Sequence, residues 1–567
     1  MVGVRRPGLC VDRIEAARDT LNAATDSGAK ATHEVTNQTP PLTDYNLFAS
    51  DRVLSEGIDR EGASWARPLL DDFGRRAGSE EAIRWGFQAN ENPPQLRTHD
   101  RWGHRIDEVE FHPAWHELMR LAIESGLASL PWAKPRDGGH VARSALMFLA
   151  AQNEAGHTCP VSMTYSAVPV LRQQPEVARA WEPRVCSARY DPRYRPASEK
   201  SGVLIGMAMT EKQGGSDVRA NMTAAEPAGN GEYLLTGHKW FCSAPMSDAF
   251  LVLAQAPGGL TCFLLPRWTG DGQRNAFHIQ RLKSKLGNRS NASGEVEFEG
   301  AWAQRVGEEG RGVATIIEMV QHTRLDCIMG SAALMRQALV QAIHHARHRR
   351  AFGRLLMDQP LMQNVLADLA VESEAATMLM LRLARAFDAR ATDSREHGLA
   401  RLATAAGKYW ISKRGPAHVG EALECLGGNG YVEECILPRL YREAPLNSIW
   451  EGSGNVICLD VLRALRKEPD AVASLMDEIL LARGVDRRFD AFVGEVEKDL
   501  REVATEVEAR RLTERLALAL QASLLIRHSL PAVAGAFCAT RLGSDGGRAF
   551  GTLPSHVDFH AILERAF

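Results

Sequence analysis

The segment NSIWEGSGN, residues 447–455, places a carboxylate, Glu451, between the indole of Trp450 and a Gly-Ser-Gly turn. A carboxylate beside an apolar ring loses solvation, which raises its pKa and makes it a stronger base. Glu451 is therefore a candidate general base. The alternative is a turn or cap residue, which is the ordinary role of a glutamate before glycine, and this segment alone leaves both interpretations open.

A glycine-rich turn in the middle of the chain could hold a cofactor. The segment MAMTEKQGGSD, residues 207–217, leads from a predicted strand into this turn. Its backbone N–H groups and the hydroxyls of Thr210 and Ser216 can bind a ring edge or a phosphate. The alternative is a plain hairpin turn. No GxGxxG sequence opens a helix after a strand, so a Rossmann-type dinucleotide site is disfavoured.

A second segment, HKWFCS at residues 238–243, has the alternation of a β-strand. It predicts Trp240 and Cys242 on one face and Phe241 and Ser243 on the other. An indole beside a hydroxyl or thiol suits a flat heterocycle such as a flavin. A strand with a core tryptophan is an equally good interpretation of the segment alone.

The basic run HHARHRRAFG, residues 344–353, has four interpretations. His344 and His348 lie four residues apart, as in a metal pair, but no third ligand follows at a suitable spacing. The run also resembles a nucleic-acid patch or a solvated helix face. The fourth interpretation is a clamp, in which Arg349 binds a pyrophosphate and Phe352 stacks on an adjacent ring.

The segment ECLGGNGYVEE, residues 424–434, predicts a helix that ends at a glycine-rich C-cap. The glycines also permit close approach of the backbone to a phosphate.

Length and composition describe an ordinary globular protein without global basicity. The chain has 567 residues, 24% charged residues and a formal net charge of -3. Its ten cysteines form no CxxC pair and no zinc spacing, which predicts reduced thiols and a cytoplasmic location. No run of about 18 apolar residues is present, so we expect no membrane span.

The periodicity along the chain predicts a mostly α fold with a central β domain. Long helical patterns occupy both ends, and short β-rich segments about ten residues apart predict a small sandwich or barrel between them. Three further long helical patterns predict a four-helix bundle. The expected divisions are a loosely ordered extension (1–40), an N-terminal helical domain (41–200), a β domain (201–310), the bundle (311–465) and a C-terminal helical domain (466–567).

Taken in order, these segments resemble the signatures of the acyl-CoA dehydrogenase family. MTEKQGGSD is similar to its first signature, HKWFCS to its flavin-contacting strand, RRAFG to its Arg-x-x-Phe-Gly element, and LGGNGY followed by IWEGSGN to its closing signature. The resemblance covers about 41–465. It implies FAD between the β domain and the bundle, and a homotetramer built as a dimer of dimers.

The resemblance also implies roles for individual residues. Glu451 matches the catalytic base, because Thr323, at the position where some relatives carry the base, cannot serve as one. The residues matching FAD contacts within the chain are Met207, Met209, Thr210, Gly215, Ser216, Trp240, Phe241, Cys242, Ser243, Ile449, Trp450, Ser453 and Asn455. Gly428 matches a further FAD contact, and Arg349 and Phe352 would hold the FAD of a neighbouring subunit. Acyl-CoA and an electron-transferring flavoprotein are the implied partners.

The closer similarity is to the AidB branch of that family, bacterial proteins of the adaptive response to DNA alkylation. The segments THEVTNQTPPL, EFHPAWHELM and ATRLGSDGGRAFGTLP carry it. The branch implies weak thioester oxidation and double-stranded DNA binding by the region after 465. The alternative is an ordinary metabolic enzyme for short or branched acyl-CoA, without a DNA role.

The C-terminal region has no overall positive charge to support DNA binding. It carries 14 Arg and Lys against 16 Asp and Glu. Arg510, Arg511 and Arg515 are the candidate DNA contacts, since 511 and 515 lie one turn apart on a predicted helix. A solvated, salt-bridged helix is the alternative interpretation.

Overall fold

Helical regions flank one central sheet in the computed structural model, which describes residues 35–502 and 505–567. Residues 1–34 of the predicted extension therefore lie outside the described residues. Residues 37–40, also assigned to that extension, are held by hydrogen bonds to the end of a bundle helix. Among the described residues, no helix combines the length and apolar composition needed to cross a bilayer.

The N-terminal region is mainly helical. Its helices are α1 (Arg52–Arg60), α2 (Arg67–Ala77), α3 (Glu80–Glu91), α4 (Pro113–Glu124), α5 (Leu130–Ala133), α6 (Gly139–Asn153), α7 (Thr158–Leu171) and α8 (Pro175–Val185). Helix α4 begins at a proline and buries Trp115, Leu118, Met119 and Ala122. Helix α6 is buried along its whole length, so it forms the centre of this region.

One part of the N-terminal region differs from the sequence prediction. Within the predicted helical domain, the polar segment 91–104 contains strand β1 (Gln95–His99), which pairs antiparallel with β2 (Arg105–Glu110). These strands are mostly half-exposed and rich in charge, so they lack the hydrophobic alternation that identifies a buried strand.

The central sheet closes into a barrel. Its strands are β3 (Ile205–Ala208), β4 (Ala224–Gly229), β5 (Glu232–Ser243), β6 (Ala249–Ala256), β7 (Gly259–Pro266), β8 (Phe277–Leu282) and β9 (Ser293–Val306). Pairing runs from β6 to β4, β5, β9, β7 and back to β6. Strand β3 pairs with β6, and strand β8 pairs with β9. Closure leaves few exposed strand edges, and buried phenylalanines fill the interior.

Three long helices form the frame behind the barrel. They are α9 (Gly312–His348), α10 (Pro360–Ala389) and α11 (Ser394–Cys425), which all lie within the predicted bundle region 311–465. A short hairpin, β10 (Arg350–Ala351) and β11 (Arg354–Leu355), connects the first two. The chain continues through α12 (Gly428–Tyr431), α13 (Ile436–Glu443) and α14 (Gly454–Lys467), and α14 packs on α11 as the fourth helix.

The C-terminal region packs directly against this bundle. Its helices are α15 (Pro469–Leu480), α16 (Arg487–Arg501), α17 (Ala509–His528), α18 (Pro531–Phe537) and α19 (Phe559–Ala566), with a π-helical turn at Cys538–Leu542. Helix α17 contacts α10, α11, α14 and α15. Its leucines are buried, so the region shares one hydrophobic core with the bundle.

Candidate active site

Glu451 lies at the apex of a tight turn between a short 3-10 turn, Leu446–Ser448, and helix α14. Its backbone φ is +58°, in the left-handed region that residues other than glycine rarely adopt. Gly452 follows with φ +101°. Two consecutive residues with positive φ reverse the chain sharply, so the structure forces the Glu451 side chain into one direction.

Two buried cations bind the three carbonyls of this turn. Lys408 Nζ donates to the oxygens of Trp450 at 2.9 Å and Gly452 at 2.5 Å. Arg324 Nε donates to the Glu451 oxygen at 3.1 Å. Lys408 is only 1% exposed. A left-handed residue costs on the order of 1–3 kcal/mol and persists only where its surroundings hold it, which these bonds do.

The Glu451 carboxylate accepts a hydrogen bond from Thr323, whose Oγ1 lies 2.6 Å from Glu451 Oε2. The same hydroxyl lies 3.1 Å from the Val320 oxygen. Because a hydroxyl has one proton, it can donate to only one of these acceptors at a time. Burial raises the pKa of Glu451, whereas the Thr323 hydrogen bond and the Lys408 charge lower it.

Replacing Thr323 with valine should move the pH dependence of proton removal to higher pH. The change removes a hydrogen bond to the carboxylate anion, which raises the pKa of Glu451 further, and a base acts only when deprotonated. We expect the acid limb of the rate profile to shift upward by about one to two pH units.

For the reaction that the family resemblance implies, the rate of flavin reduction by an acyl-CoA, measured across pH by stopped flow, tests this shift. Thr323→Ser retains the hydroxyl and should follow the parent. Thr377→Val is the control, because Thr377 is a buried threonine that bonds only to the carbonyl of Ser373 in its own helix. An unshifted profile for Thr323→Val would exclude Thr323 from tuning the base.

The glycine-rich turn after β3 joins the predicted flavin strand. The backbone N–H of Trp240 donates to the Thr210 oxygen at 2.8 Å. A Cβ on Gly215 would come within 2.4 Å of Thr210 Oγ1, so glycine at this position keeps the hydroxyl clear. Gly215 and Ser216 are exposed, whereas Met207 and Met209 are half-buried.

The predicted alternation of HKWFCS is interrupted in the structure. A β-bulge lies between Lys239 and Cys242, and both of these residues point into the barrel. The rings of Trp240 and Phe241 are therefore neighbours, with Lys283 Nζ 3.9 Å and 4.4 Å from their centroids. An inserted residue shifts the side-chain alternation by one position, which periodicity alone does not reveal.

The glycine-rich turn and the Glu451 turn approach the same hydrophobic cluster, which includes the buried thiol of Cys159. Burial raises the pKa of that thiol to about 11. Met209 and Trp450 both pack against this cluster. The structure thus brings the first, second and closing motifs together.

The described residues around this junction fit a flat polar cofactor such as FAD. The side-chain amide of Asn291 is 1% exposed, yet neither its nitrogen nor its oxygen has a hydrogen-bond partner. A buried amide without partners is costly, and a bound polar group would satisfy it. The Ser453 hydroxyl makes no capping bond at the start of α14 and is also open to a ligand.

Three of the remaining predicted contacts lie away from the Glu451 turn. Arg349 follows the end of α9, 26 residues after Thr323, which corresponds to roughly 39 Å along the helix. Phe352, at the tip of the β10–β11 hairpin, is 98% exposed, and Gly428 is exposed at the start of α12. These residues are separate from the Glu451 site within one chain. Ile449 and Asn455 flank the glutamate turn and are exposed.

The candidate DNA contacts on α17 do not form a set of free cations. Arg510 Nε donates to the Tyr409 hydroxyl at 3.2 Å, and Arg515 forms an ion pair with Asp499. Arg511 is 66% exposed, with Glu508 at 3.7 Å. His344, considered above as one half of a metal pair, donates to the Pro40 oxygen at 2.9 Å.

Three family models match successive parts of the chain. Residues 37–192 match the adaptive response protein AidB N-terminal domain, 206–301 the acyl-CoA dehydrogenase middle domain, and 310–466 the acyl-CoA dehydrogenase C-terminal domain. The Escherichia coli (strain K12) protein named "Putative acyl-CoA dehydrogenase AidB" is 48% identical over 91% of this chain and 95% of that protein. The chain belongs to the AidB branch of the acyl-CoA dehydrogenase family.

Further relatives agree with this membership. Acyl-CoA dehydrogenase family member 11 of Caenorhabditis elegans is 31% identical over 83% of this chain and 77% of that protein. The crystal structure of Caenorhabditis elegans ACDH-11 in complex with C11-CoA superimposes with a TM-score of 0.82 at 28% identity, covering 91% of this chain and 95% of that one. Butyryl-CoA dehydrogenase from Megasphaera elsdenii, at 20% identity and a TM-score of 0.55 over 75% of this chain and all of that one, shares the fold.

Family membership confirms three sequence predictions. The fold is that of an acyl-CoA dehydrogenase, with helical, β and helical regions in order. The cofactor of the family is FAD. The chain is an oxidoreductase of the class that acts on CH–CH groups.

Sequence reasoning missed the residues that hold the Glu451 turn. Both residues are distant in sequence from the carbonyls they bind: Lys408 lies 42 residues from Trp450, and Arg324 lies 127 residues from Glu451. No local motif marks either of them. The only available signal was a lysine within an otherwise apolar helical stretch, TAAGKYWIS. Buried lysines require partners, so such a position predicts a specific interaction.

Proposed function

We propose that the chain oxidises an acyl thioester between its α and β carbons, with Glu451 as the general base. The observation that carries this proposal is the carboxylate itself, held at the apex of a strained turn by Lys408, Arg324 and Thr323. Burial raises the pKa of this carboxyl group, which makes the carboxylate a stronger base.

The Thr323 hydroxyl can accommodate both protonation states of the base. Before the reaction it donates to the Glu451 carboxylate. After Glu451 has taken the α-proton, the new carboxylic acid can donate to Thr323 Oγ1, while Thr323 donates to the Val320 oxygen 3.1 Å away. In both protonation states the Glu451 and Thr323 side chains have a hydrogen-bond partner, so neither state incurs the free-energy cost of an unpaired buried group.

FAD, when bound, supplies the hydride acceptor for the β-carbon. The residues that would hold it within one chain are Met207, Met209, Thr210, Gly215, Ser216, Trp240, Phe241, Cys242, Ser243, Ile449, Trp450, Ser453 and Asn455. Arg349 and Phe352 would bind the FAD of a neighbouring copy, which agrees with the distance of Arg349 from the Glu451 site, and Gly428 would supply a further FAD contact. We therefore infer a homotetramer built as a dimer of dimers.

We infer an electron-transferring flavoprotein as the electron acceptor and the cytoplasm as the location. The nine cysteines in the described part of the chain are all free thiols, which agrees with a reducing compartment.

Anaerobic titration of the purified flavoprotein with acyl-CoAs of increasing length and branching tests the reaction. We expect slow but complete bleaching of the flavin by at least one of them. Rapid bleaching by a short or branched acyl-CoA would instead favour the alternative of an ordinary metabolic dehydrogenase. A panel that leaves the flavin oxidised would contradict the proposal.

Duplex DNA binding, linked to the alkylation response, is a second candidate function. The match of residues 37–192 to the adaptive response AidB model favours it. Of the three candidate arginines on α17, Arg511 is the most available to a phosphate. Arg511→Gln should weaken duplex binding for all sequences alike and lower the slope of log affinity against log salt by about 0.9.

Fluorescence anisotropy with a labelled duplex at several salt concentrations measures that slope. Arg395→Gln is the control, because Arg395 is 69% exposed at the start of α11. A parent protein without affinity at low salt would exclude the DNA function. Equal slopes for the parent and Arg511→Gln would exclude α17 as the contact surface.

A further inference from the structure

A segment at the start of the described chain, residues 37–43, lies across the end of helix α9; we name it the strap. Its first residue binds two consecutive arginines. Asn37 Nδ2 donates to the Arg350 oxygen at 2.9 Å, and the Arg350 N–H donates to Asn37 Oδ1 at 2.9 Å. Arg349 donates from its terminal nitrogen to the Asn37 backbone oxygen at 2.5 Å. The Asn37 amide thus pairs with the backbone as a neighbouring strand would.

The strap continues from α9 towards the glycine-rich turn before α12. Thr39 Oγ1 lies 3.0 Å from His345 Nδ1, and His344 donates to the Pro40 oxygen. Asn429 Nδ2 donates to Gln38 Oε1 at 3.3 Å. One short segment therefore contacts two elements assigned above to FAD binding, the end of α9 and the Gly428 turn.

The hairpin after Arg349 is strained. Phe352 and Gly353 form its two-residue loop, with φ of +52° and +78°. Two positive φ values are the requirement of a type I′ turn, but a bulky aromatic residue at such a position is an outlier. Strain of this kind persists only where neighbouring contacts hold it, and it indicates a function. The Phe352 ring is almost fully exposed, so the hairpin presents it to a binding partner.

Arg349 retains capacity for an anion. A guanidinium has five N–H donors, and the strap uses one of them. No acidic side chain among the described residues lies within ion-pair distance of Arg349. A planar cation that is held from one side and lacks a carboxylate partner is suited to bidentate binding of a phosphate.

We propose that the strap is a positioning element for cofactor binding, in which Asn37 fixes Arg349 and the Phe352 hairpin so that they hold the pyrophosphate of a neighbouring copy's FAD. This inference rests on the assignment of Arg349 and Phe352 under the proposed function. It adds a role for the segment that precedes the first helix, outside the four motifs.

Asn37→Gly tests the strap with little change to the backbone. Glycine adopts positive φ readily, so the strap keeps its path and the carbonyl that Arg349 contacts, and only the amide is lost. We expect FAD release from the holoenzyme, followed by flavin fluorescence after dilution, to become about tenfold faster. Asn230→Gly is the matched control, because Asn230 has φ +53° in an exposed turn of the barrel.

Arg349→Gln separates this inference from the proposed function. We expect it to release FAD faster than Asn37→Gly does, because it removes the cation itself, whereas Asn37→Gly removes only the amide that holds the Arg350 backbone at the start of the Phe352 hairpin. Parent-like release for Asn37→Gly together with faster release for Arg349→Gln would overturn the role of the strap and leave the clamp in place. If Arg349→Gln releases FAD at the rate of the parent, Arg349 does not bind the cofactor, and this inference is wrong as well.

Discussion

Glu451→Gln is expected to retain FAD and to lose reduction of the flavin by acyl-CoA. Glutamine has the shape of glutamate and can still accept the hydrogen bond from Thr323 Oγ1, so the turn should be preserved. It cannot accept a proton from carbon. A positioned general base contributes roughly 10²–10⁴-fold, and the rate of reduction should fall by at least that factor.

Stopped-flow measurement of flavin bleaching, with the acyl-CoA that reduces the parent fastest, provides this rate. Glu226→Gln is the control, because Glu226 is an exposed carboxylate on β4. The flavin spectrum and the FAD content of Glu451→Gln should equal those of the parent. Equal bleaching rates in the two proteins would remove Glu451 from the role of base.

Lys408→Met is expected to lower both stability and activity. Methionine has a similar length and no charge, so the main loss is the pair of hydrogen bonds to the Trp450 and Gly452 oxygens. Each buried carbonyl left without a donor costs about 1–3 kcal/mol. Removing a buried charge offsets part of this cost, since burial already lowers the pKa of Lys408.

The activity of Lys408→Met should fall further than a loss of stability alone would require. With two of its three carbonyl bonds gone, the turn can relax from the left-handed conformation and move the Glu451 carboxylate. We expect flavin bleaching to slow by at least about tenfold at a temperature where the variant is folded. Lys498→Met, on the exposed side of α16, is the control and should change neither the stability nor the rate of flavin bleaching. A variant as active as the parent would show that Lys408 does not position the base.

Parts of the molecule with a regular pattern could be predicted from the sequence. The spans of α9, α10 and α11 follow from long helical periodicity, and α4 follows from its starting proline and its apolar face. Five of the seven barrel strands carry enough apolar or alternating residues to identify them. Strand β4, with Pro227 and mostly exposed side chains, carries no such pattern.

Features that depend on long-range contacts could not be predicted. The bulge between Lys239 and Cys242 depends on the pairing of β5 with β9. The bonds from Asn37 to Arg350 join residues 313 positions apart, and no local signal distinguishes Asn37 from other polar residues in an extended segment. The motifs identified the Glu451 turn, but its geometry depends on cations supplied by two distant helices.

The most direct measurement is a crystal structure of the yellow protein with FAD and an unreactive acyl-CoA analogue. We expect the Glu451 carboxylate to lie within about 3 Å of the acyl α-carbon, next to the flavin ring between β5 and the bundle. We also expect Arg349 of a neighbouring copy to contact the FAD pyrophosphate. A flavin bound away from Glu451, or a purified protein that takes up no flavin, would contradict the proposed function.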